Sequence, residues 1–275
     1  MRHAMHILVA AKQVLDPDGI NSYALWGRLE VSEDGREFNT GETVPRIINA
    51  YDEQAMEAAL QIAETRDDVR ITAVTVGSDT APDVLKRCYA MGAEDTIHVH
   101  DEESRPGDPF RVSQILASVA EDLGDVDLIL CGRQGSDYDQ GAVPAILSED
   151  LGLPFITMAA KVKLDEATGS LHVEVVTPDG PETLECDLPA VVAVSNEIGQ
   201  PRYPSSRRMI QARRNPPTVF QASELLQEPT TRRMSIKLLT VPLVQGNCEI
   251  IEGGDPKEKA SQLLQILRER GVING

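Results

Sequence analysis

The stretch Gly132-Arg133-Gln134-Gly135-Ser136-Asp137-Tyr138-Asp139-Gln140-Gly141-Ala142-Val143 gathers glycines, an alanine and short polar side chains just ahead of an apolar run with helical spacing. Small residues at a helix start let main-chain amides come close to an anion, and the helix dipole favours negative charge there. The chemistry on offer is phosphate binding. Asp137 and Asp139 would repel a phosphate directly, so they are expected to cap the helix or to hold ribose hydroxyls. Neither G-x-G-x-x-G nor G-x-x-x-x-G-K-[ST] occurs, which excludes the standard dinucleotide fingerprint and the P-loop. Spacing alone leaves an ordinary glycine-rich turn and a nucleotide site both open.

Two other strand-to-loop junctions, Ala10-Ala11-Lys12 and Val76-Gly77-Ser78, could border the same site. Lys12 there could offer charge to a phosphate, although a solvated lysine is the commoner case. No Ser/His/Asp or Cys/His grouping is readable, so nothing reads as a catalytic nucleophile, and a binding or carrier role follows. Cys88, Cys131, Cys186 and Cys248 are scattered without a CxxC pair, which fits buried thiols in a reducing compartment. The histidines show neither HExxH nor facial-triad spacing, and no metal is expected.

A second segment, Ser195-Asn196-Glu197-Ile198-Gly199-Gln200-Pro201-Arg202-Tyr203-Pro204-Ser205, follows a buried strand and is expected as a surface loop. Ile198 is then one apolar side chain among polar neighbours. A single exposed aliphatic residue normally needs no explanation, but an apolar anchor beside a proline brace is also what a small docking site looks like.

These residues must be held by regular elements, and the hydrophobic pattern supplies them. His6–Ala11 is apolar without alternation, as a strand buried on both faces would be. A polar stretch leads to a hairpin turning at Asp34-Gly35. Residues 52–65 carry a helical stripe of Met56, Ala59, Leu60 and Ala63. Strands over 69–76, 96–99 and 127–131 alternate with helices over about 80–91, 109–123 and 142–150, the first with Ser78, Asp79 and Thr80 as candidate caps. That alternation predicts parallel βαβ units in a doubly wound, mostly parallel α/β sheet. Beyond Pro154 the rhythm changes to antiparallel strands over 156–164, 171–177 and 182–188, and Ala190–Ser195 returns to the main sheet. Residues 1–215 are read as one α/β domain. Residues 216–275, punctuated by proline and glycine with one helix near 256–270, are read as an extended C-terminal arm packing on a partner; disorder is the alternative.

A chain that is 41% hydrophobic and 25% charged can bury a sizeable core. Its net charge of −18 repels phosphate backbones and anionic lipid, which argues against nucleic acid and membrane surfaces as partners. Arg202, Arg207, Arg208, Arg213 and Arg214 form a basic cluster against that background. No apolar stretch is long enough to span a membrane and the start lacks a secretory pattern, so a cytoplasmic protein is expected.

The segments VAAKQV, IINAYDEQAMEAAL, AMGAED, GRQ-x-x-D-x-D and LPAVVAVSNEIGQPRYPS, in this order from about His6 to Asn215, resemble electron-transfer flavoprotein β subunits. The resemblance implies a fold like that of adenine-nucleotide hydrolases, without their hydrolytic role. It implies a heterodimer whose α subunit holds the redox-active FAD, with this chain holding an AMP or a second FAD. Ala10, Asn49, Val76, Gly132, Asp137, Asp139, Gln140, Gly141, Ala142 and Val143 would line the nucleotide pocket. Ile198, with Pro201, Arg202 and Tyr203, would stand where the family docks its partner dehydrogenases, of acyl-CoA dehydrogenase type; a quinone oxidoreductase is a further implied partner, and NADH oxidation and ferredoxin belong to its bifurcating branch. The family's Asn-Gln-Thr-Gly or Thr-Ala-Gln-Val-Gly run is here Gln140-Gly141-Ala142-Val143-Pro144, where Pro144 removes one amide donor. An ATP-dependent substrate-activating enzyme or a nucleotide sensor on a related fold is the alternative; the former would need a pyrophosphate loop where Ala11-Lys12-Gln13-Val14 stands.

Overall fold

The computed structural model describes residues 4–25, 29–39, 44–104, 107–165, 168–226, 233–241 and 248–273. In chain order the elements are β1 (Met5–Ala10), β2 (Gln13–Leu15), α1 (Pro17–Leu25), β3 (Glu30–Val31), β4 (Phe38–Asn39), β5 (Arg46–Ile48), α2 (Ala50–Ala63) and β6 (Val69–Gly77). They continue as α3 (Asp83–Met91), β7 (Asp95–His100), α4 (Pro109–Leu123), β8 (Leu128–Gly132), α5 (Val143–Leu151), β9 (Phe155–Leu164), β10 (Leu171–Thr177), β11 (Gly180–Cys186) and β12 (Ala190–Val194). The last are α6 (Ser206–Ala212), β13 (Thr218–Gln221), α7 (Ala222–Leu225) and α8 (Pro256–Glu269).

One nine-stranded sheet runs in the order β11-β10-β9-β12-β8-β1-β6-β7-β13. The pairings from β9 through to β13 are parallel, and β10 and β11 add antiparallel strands at one edge. The apolar run of β1 fits its central place. Ile7 and Val9 face a core shared with Met56 and Leu60 of α2 and Leu85 of α3, while Leu8 faces a core shared with Ile115 of α4 and Leu147 of α5. Helices therefore cover both faces, as parallel strands without a solvated side require. α4 shows the clearest end signals: Asp108 accepts the Phe110 N–H at 3.1 Å, Pro109 stands first in the helix, and Gly124 closes it at φ 70°.

The structure departs from the sequence reading in several places. Ser78, Asp79 and Thr80 do not cap α3; they form a turn in which Ala81 donates to the Ser78 carbonyl, and α3 begins after Pro82 without a side-chain cap. Residues 17–25 are helical rather than irregular. β13 pairs with β7 and so extends the sheet beyond Asn215. Contacts divide the chain into two compact units, Met1–Thr240 and Val241–Gly275. In the second unit, α8 starts at an Asp255 cap and buries none of its residues. Among the described residues, no helix is long and apolar enough to cross a membrane.

Candidate functional site

The sheet changes direction at β1. From there the chain proceeds through α2 to β6 on one side, and α4 later delivers β8 to the other side. The loops leaving neighbouring strand ends thus diverge and leave a crevice at their carboxyl ends. A cleft of about 470 Å³ opens there, within the range of small-molecule sites. Its walls include Ala10 after β1, Val76 on β6, Gly132 at the end of β8, Asn49 before α2, and Asp137 with Gln140–Val143 from the loop that enters α5. Asp139 is not part of the wall: its carboxylate accepts the Gln134 side-chain amide at 2.7 Å, and its backbone takes φ 50°.

The floor is fastened by two residues at the start of α2. β2 pairs antiparallel with β5, which brings Asn49 beside the end of β1. The Asn49 side chain donates to the Gln134 carbonyl at 2.8 Å and accepts the Ser136 N–H at 3.1 Å, so it fixes the nucleotide loop instead of capping its own helix. Asp52, buried, accepts the Lys12 N–H at 2.7 Å and the Gly132 N–H at 3.0 Å, joining the ends of β1 and β8. Burial pushes its carboxyl up to about 7, against the hydrogen bonds that favour the anion. Gly132 is required by this closeness: a Cβ there would lie 2.7 Å from the Tyr51 main chain and nearer still to the Asp52 carboxylate. The sequence reading missed Asp52, because an acid in the first turn of a helix looks like an ordinary complement to the dipole.

Lys12 and Asp137 form an ion pair at 2.7 Å on the cleft wall, with the Lys12 ammonium 5.6 Å from the centre of the Tyr138 ring. Asp137 therefore brings its own counter-charge. Neither Asp137 nor Asp139 caps α5, contrary to one of the expected roles; Ala142 stands at the cap without a side-chain bond. The first-turn amides of α5 are thus left to main chain, water or a ligand, with Pro144 lacking one. Gly141 turns the loop into the helix at φ 60°. On the same wall, the Ser136 hydroxyl is buried without a hydrogen-bond partner. An unsatisfied buried hydroxyl beside a cleft of ligand size fits a site that receives a polar ligand.

The second predicted segment is arranged differently from its reading. Ile198 is only 8% exposed and belongs to the core on the α2 side, so it anchors its own loop. Arg202 turns inward: its guanidinium binds both Glu57 oxygens, at 2.8 and 2.9 Å, and Glu64 at 2.6 Å, while its N–H reaches Glu57 at 3.0 Å. Burial pushes the Glu57 carboxyl up, but the Arg202 bonds outweigh it and hold the group below its usual range. Pro201 is half-buried. Tyr203 is the residue the loop presents, 80% exposed, with the Arg87 guanidinium 5.3 Å from its ring centre. Arg133 stacks at 5.0 Å on Tyr51 and sits beside Met158 and Ser195, away from the nucleotide cleft.

This arrangement can hold and orient a ligand. Cys88 and Cys131 are buried and their thiols are pushed up by burial, which keeps them protonated and unreactive. His98 donates from Nε2 to the Gly77 carbonyl at 3.0 Å, and burial lowers its pKa, so it stays neutral there. Among the described residues, no group of three His, Cys, Asp or Glu side chains converges as a metal would need.

Comparison with known proteins bears on the same residues. The family model described as "Electron transfer flavoprotein domain" matches residues 40–225. The chain is 28% identical over 274 residues to the caffeyl-CoA reductase-Etf complex subunit CarD of Acetobacterium woodii, covering 98% of this chain and all of that one. It is 31% identical over 224 residues to the electron transfer flavoprotein subunit beta of Mycobacterium tuberculosis, 80% of each chain. The mitochondrial electron transfer flavoprotein subunit beta of Arabidopsis thaliana is 31% identical over 260 residues, 94% of this chain and 93% of the other.

Proposed function

Because the chain belongs to the electron transfer flavoprotein family, on the side of its β subunits, we propose that its cleft holds an adenine nucleotide, AMP or a second FAD, and that it serves electron transfer as the non-catalytic mate of a flavin-carrying α subunit. The observation that carries the nucleotide reading is the buried, unpartnered Ser136 hydroxyl in a loop that lines a cleft ending on the first turn of α5. The α5 amides would take the phosphate, Lys12 would moderate its charge, and Val76 with the other apolar walls would cover the base. A flavin held by the pair would supply the electron-carrying chemistry; this chain's residues would bind and orient the adenine nucleotide and exclude water from it.

The dehydrogenases of acyl-CoA type, or NADH, are the donors in this reading, and a quinone oxidoreductase or ferredoxin the acceptor. Full-length likeness to a subunit of a caffeyl-CoA reductase complex supports a CoA-linked enzyme as partner. The surface offered to it includes Tyr203, with Ile198 and Arg202 as the struts that fix the loop. A cytoplasmic location belongs to the same reading and is supported by four cysteines that form no disulfide.

The test is extraction of nucleotide from the co-purified two-subunit complex. One FAD plus AMP per complex is expected for a simple carrier and two FAD for a complex with a second flavin. A yellow complex that yields only one FAD and no AMP would sink the claim that this cleft is a nucleotide site.

A further inference from the structure

The described segment from Arg233 to Leu239 is tied to three parts of the cleft's rim. At one end, Asp108 is fully buried and uses one carboxylate oxygen to start α4 and the other to accept the Arg233 N–H at 2.7 Å and the Met234 N–H at 3.3 Å. The Arg233 guanidinium lies 4.8 Å from the Phe110 ring centre. Near the same end, the Gln140 side-chain amide meets the Met234 sulfur at 4.0 Å. At the far end, Leu239 donates to the Gly35 carbonyl at 2.7 Å, and the Leu238 side chain fills the space where Gly35 has none. Gly107, Gln140 and residues 36–38 beside these three points all line the cleft. The segment therefore runs from one lip to the other, past the nucleotide loop.

We propose that Asp108 is a positioning residue of the nucleotide site: it latches the 233–239 strap across the mouth of the cleft, so that a bound nucleotide leaves only when the strap lets go. This rests on the reading of the cleft as a nucleotide site. A carboxylate is suited to the task because it only accepts, and three main-chain N–H groups point at it. An asparagine would keep one acceptor for the helix start, but its NH2 would face the strap's N–H donors. Asp108→Asn thus separates the latch from the cap. Leu239→Pro removes the N–H given to Gly35 and leaves α4 untouched.

The experiment uses the full chain, loaded with radiolabelled AMP, or with FAD followed by its own fluorescence if FAD is what extraction recovers. Release rate and trypsin cleavage after Lys237 are followed together. In the wild type, bound nucleotide is expected to slow that cleavage. In each variant, release and cleavage are expected to rise about tenfold or more, since Asp108→Asn weakens the carboxylate's bonds to the Arg233 and Met234 N–H groups and Leu239→Pro removes one main-chain bond to Gly35, with the far-UV spectrum unchanged. Unchanged release in both variants overturns the proposal, as does cleavage that ignores the nucleotide. If the wild type binds neither AMP nor FAD, the cleft reading itself falls. Cleavage in Asp108→Asn then still reports on the latch, and an unchanged rate removes that as well.

Discussion

Asp52 sets two demands of the fold against each other. Two main-chain amides, from Lys12 and Gly132, require an acceptor at the joint between β1 and β8, yet burial disfavours the anion that accepts best. Burial wins, and the carboxyl rises from 3.8 to about 7. Between those values the folded chain holds a proton that the unfolded chain has released, so this group's contribution to stability is present below about pH 4 and is lost as pH climbs through 7. At ~1.4 kcal/mol per unit the whole loss is on the order of 4 kcal/mol. Asp52→Asn should flatten that part of the profile. Urea unfolding at pH 5, 6, 7 and 8 is expected to show the wild type losing ground to the variant with each step, and parallel curves would refute the account. No pattern in the sequence points to this residue, since YDEQ reads as an ordinary helix start; what marks Asp52 is the approach of Gly132, a contact between a helix and a strand far apart in the chain. Ile198 teaches the converse. Its neighbours in sequence are polar, but its neighbours in space are the α2-side core, and only the latter decide exposure.

Elements were easier to read where local chemistry and tertiary burial agree. The bounds of α4 follow from Asp108, Pro109 and Gly124 because cap, first-turn proline and left-handed glycine act within one turn of the chain. β13, by contrast, is four residues after two prolines, and it is a strand only because β7 offers an edge. The loop after β12 lies between these cases. Its eleven residues read in sequence as a surface loop, and the Arg202 fork on Glu57 pins them to α2. Glu57→Gln should therefore free the loop more than it harms the fold. Arg202 is about a third exposed, so the stability cost is expected near 1–2 kcal/mol rather than the value for a fully buried pair. The Arg202 amide, which donates to Glu57, should exchange its hydrogen at least about tenfold faster, in step with the weakened bond. Exchange unchanged from the wild type would show that Ile198 alone holds the loop.

For the whole molecule, the parallel body and the C-terminal unit have different sources of stability. The body buries two layers of apolar side chains on a nine-stranded sheet, which the βα alternation in the sequence announces. Among the described residues of Val241–Gly275, none is buried in such a core. α8 leaves Leu263 and Leu264 each 47% exposed, and a helix of fourteen residues alone is marginal in water. An amphipathic helix with an unburied apolar stripe gains its stability from a surface that receives it, and in the proposed pair the α subunit would be that surface. A chain ending at Thr240 keeps every strand of the sheet and the Leu239 bond to Gly35. It is expected to unfold in one transition within about 1 kcal/mol of the full chain, since no described residue beyond Thr240 is buried. The same truncation should abolish co-purification with the flavin-carrying subunit. If the shortened chain still brings that subunit through a column in equal amount, the tail is not the arm of the pair, and the contact must be sought on the sheet's antiparallel edge at β11.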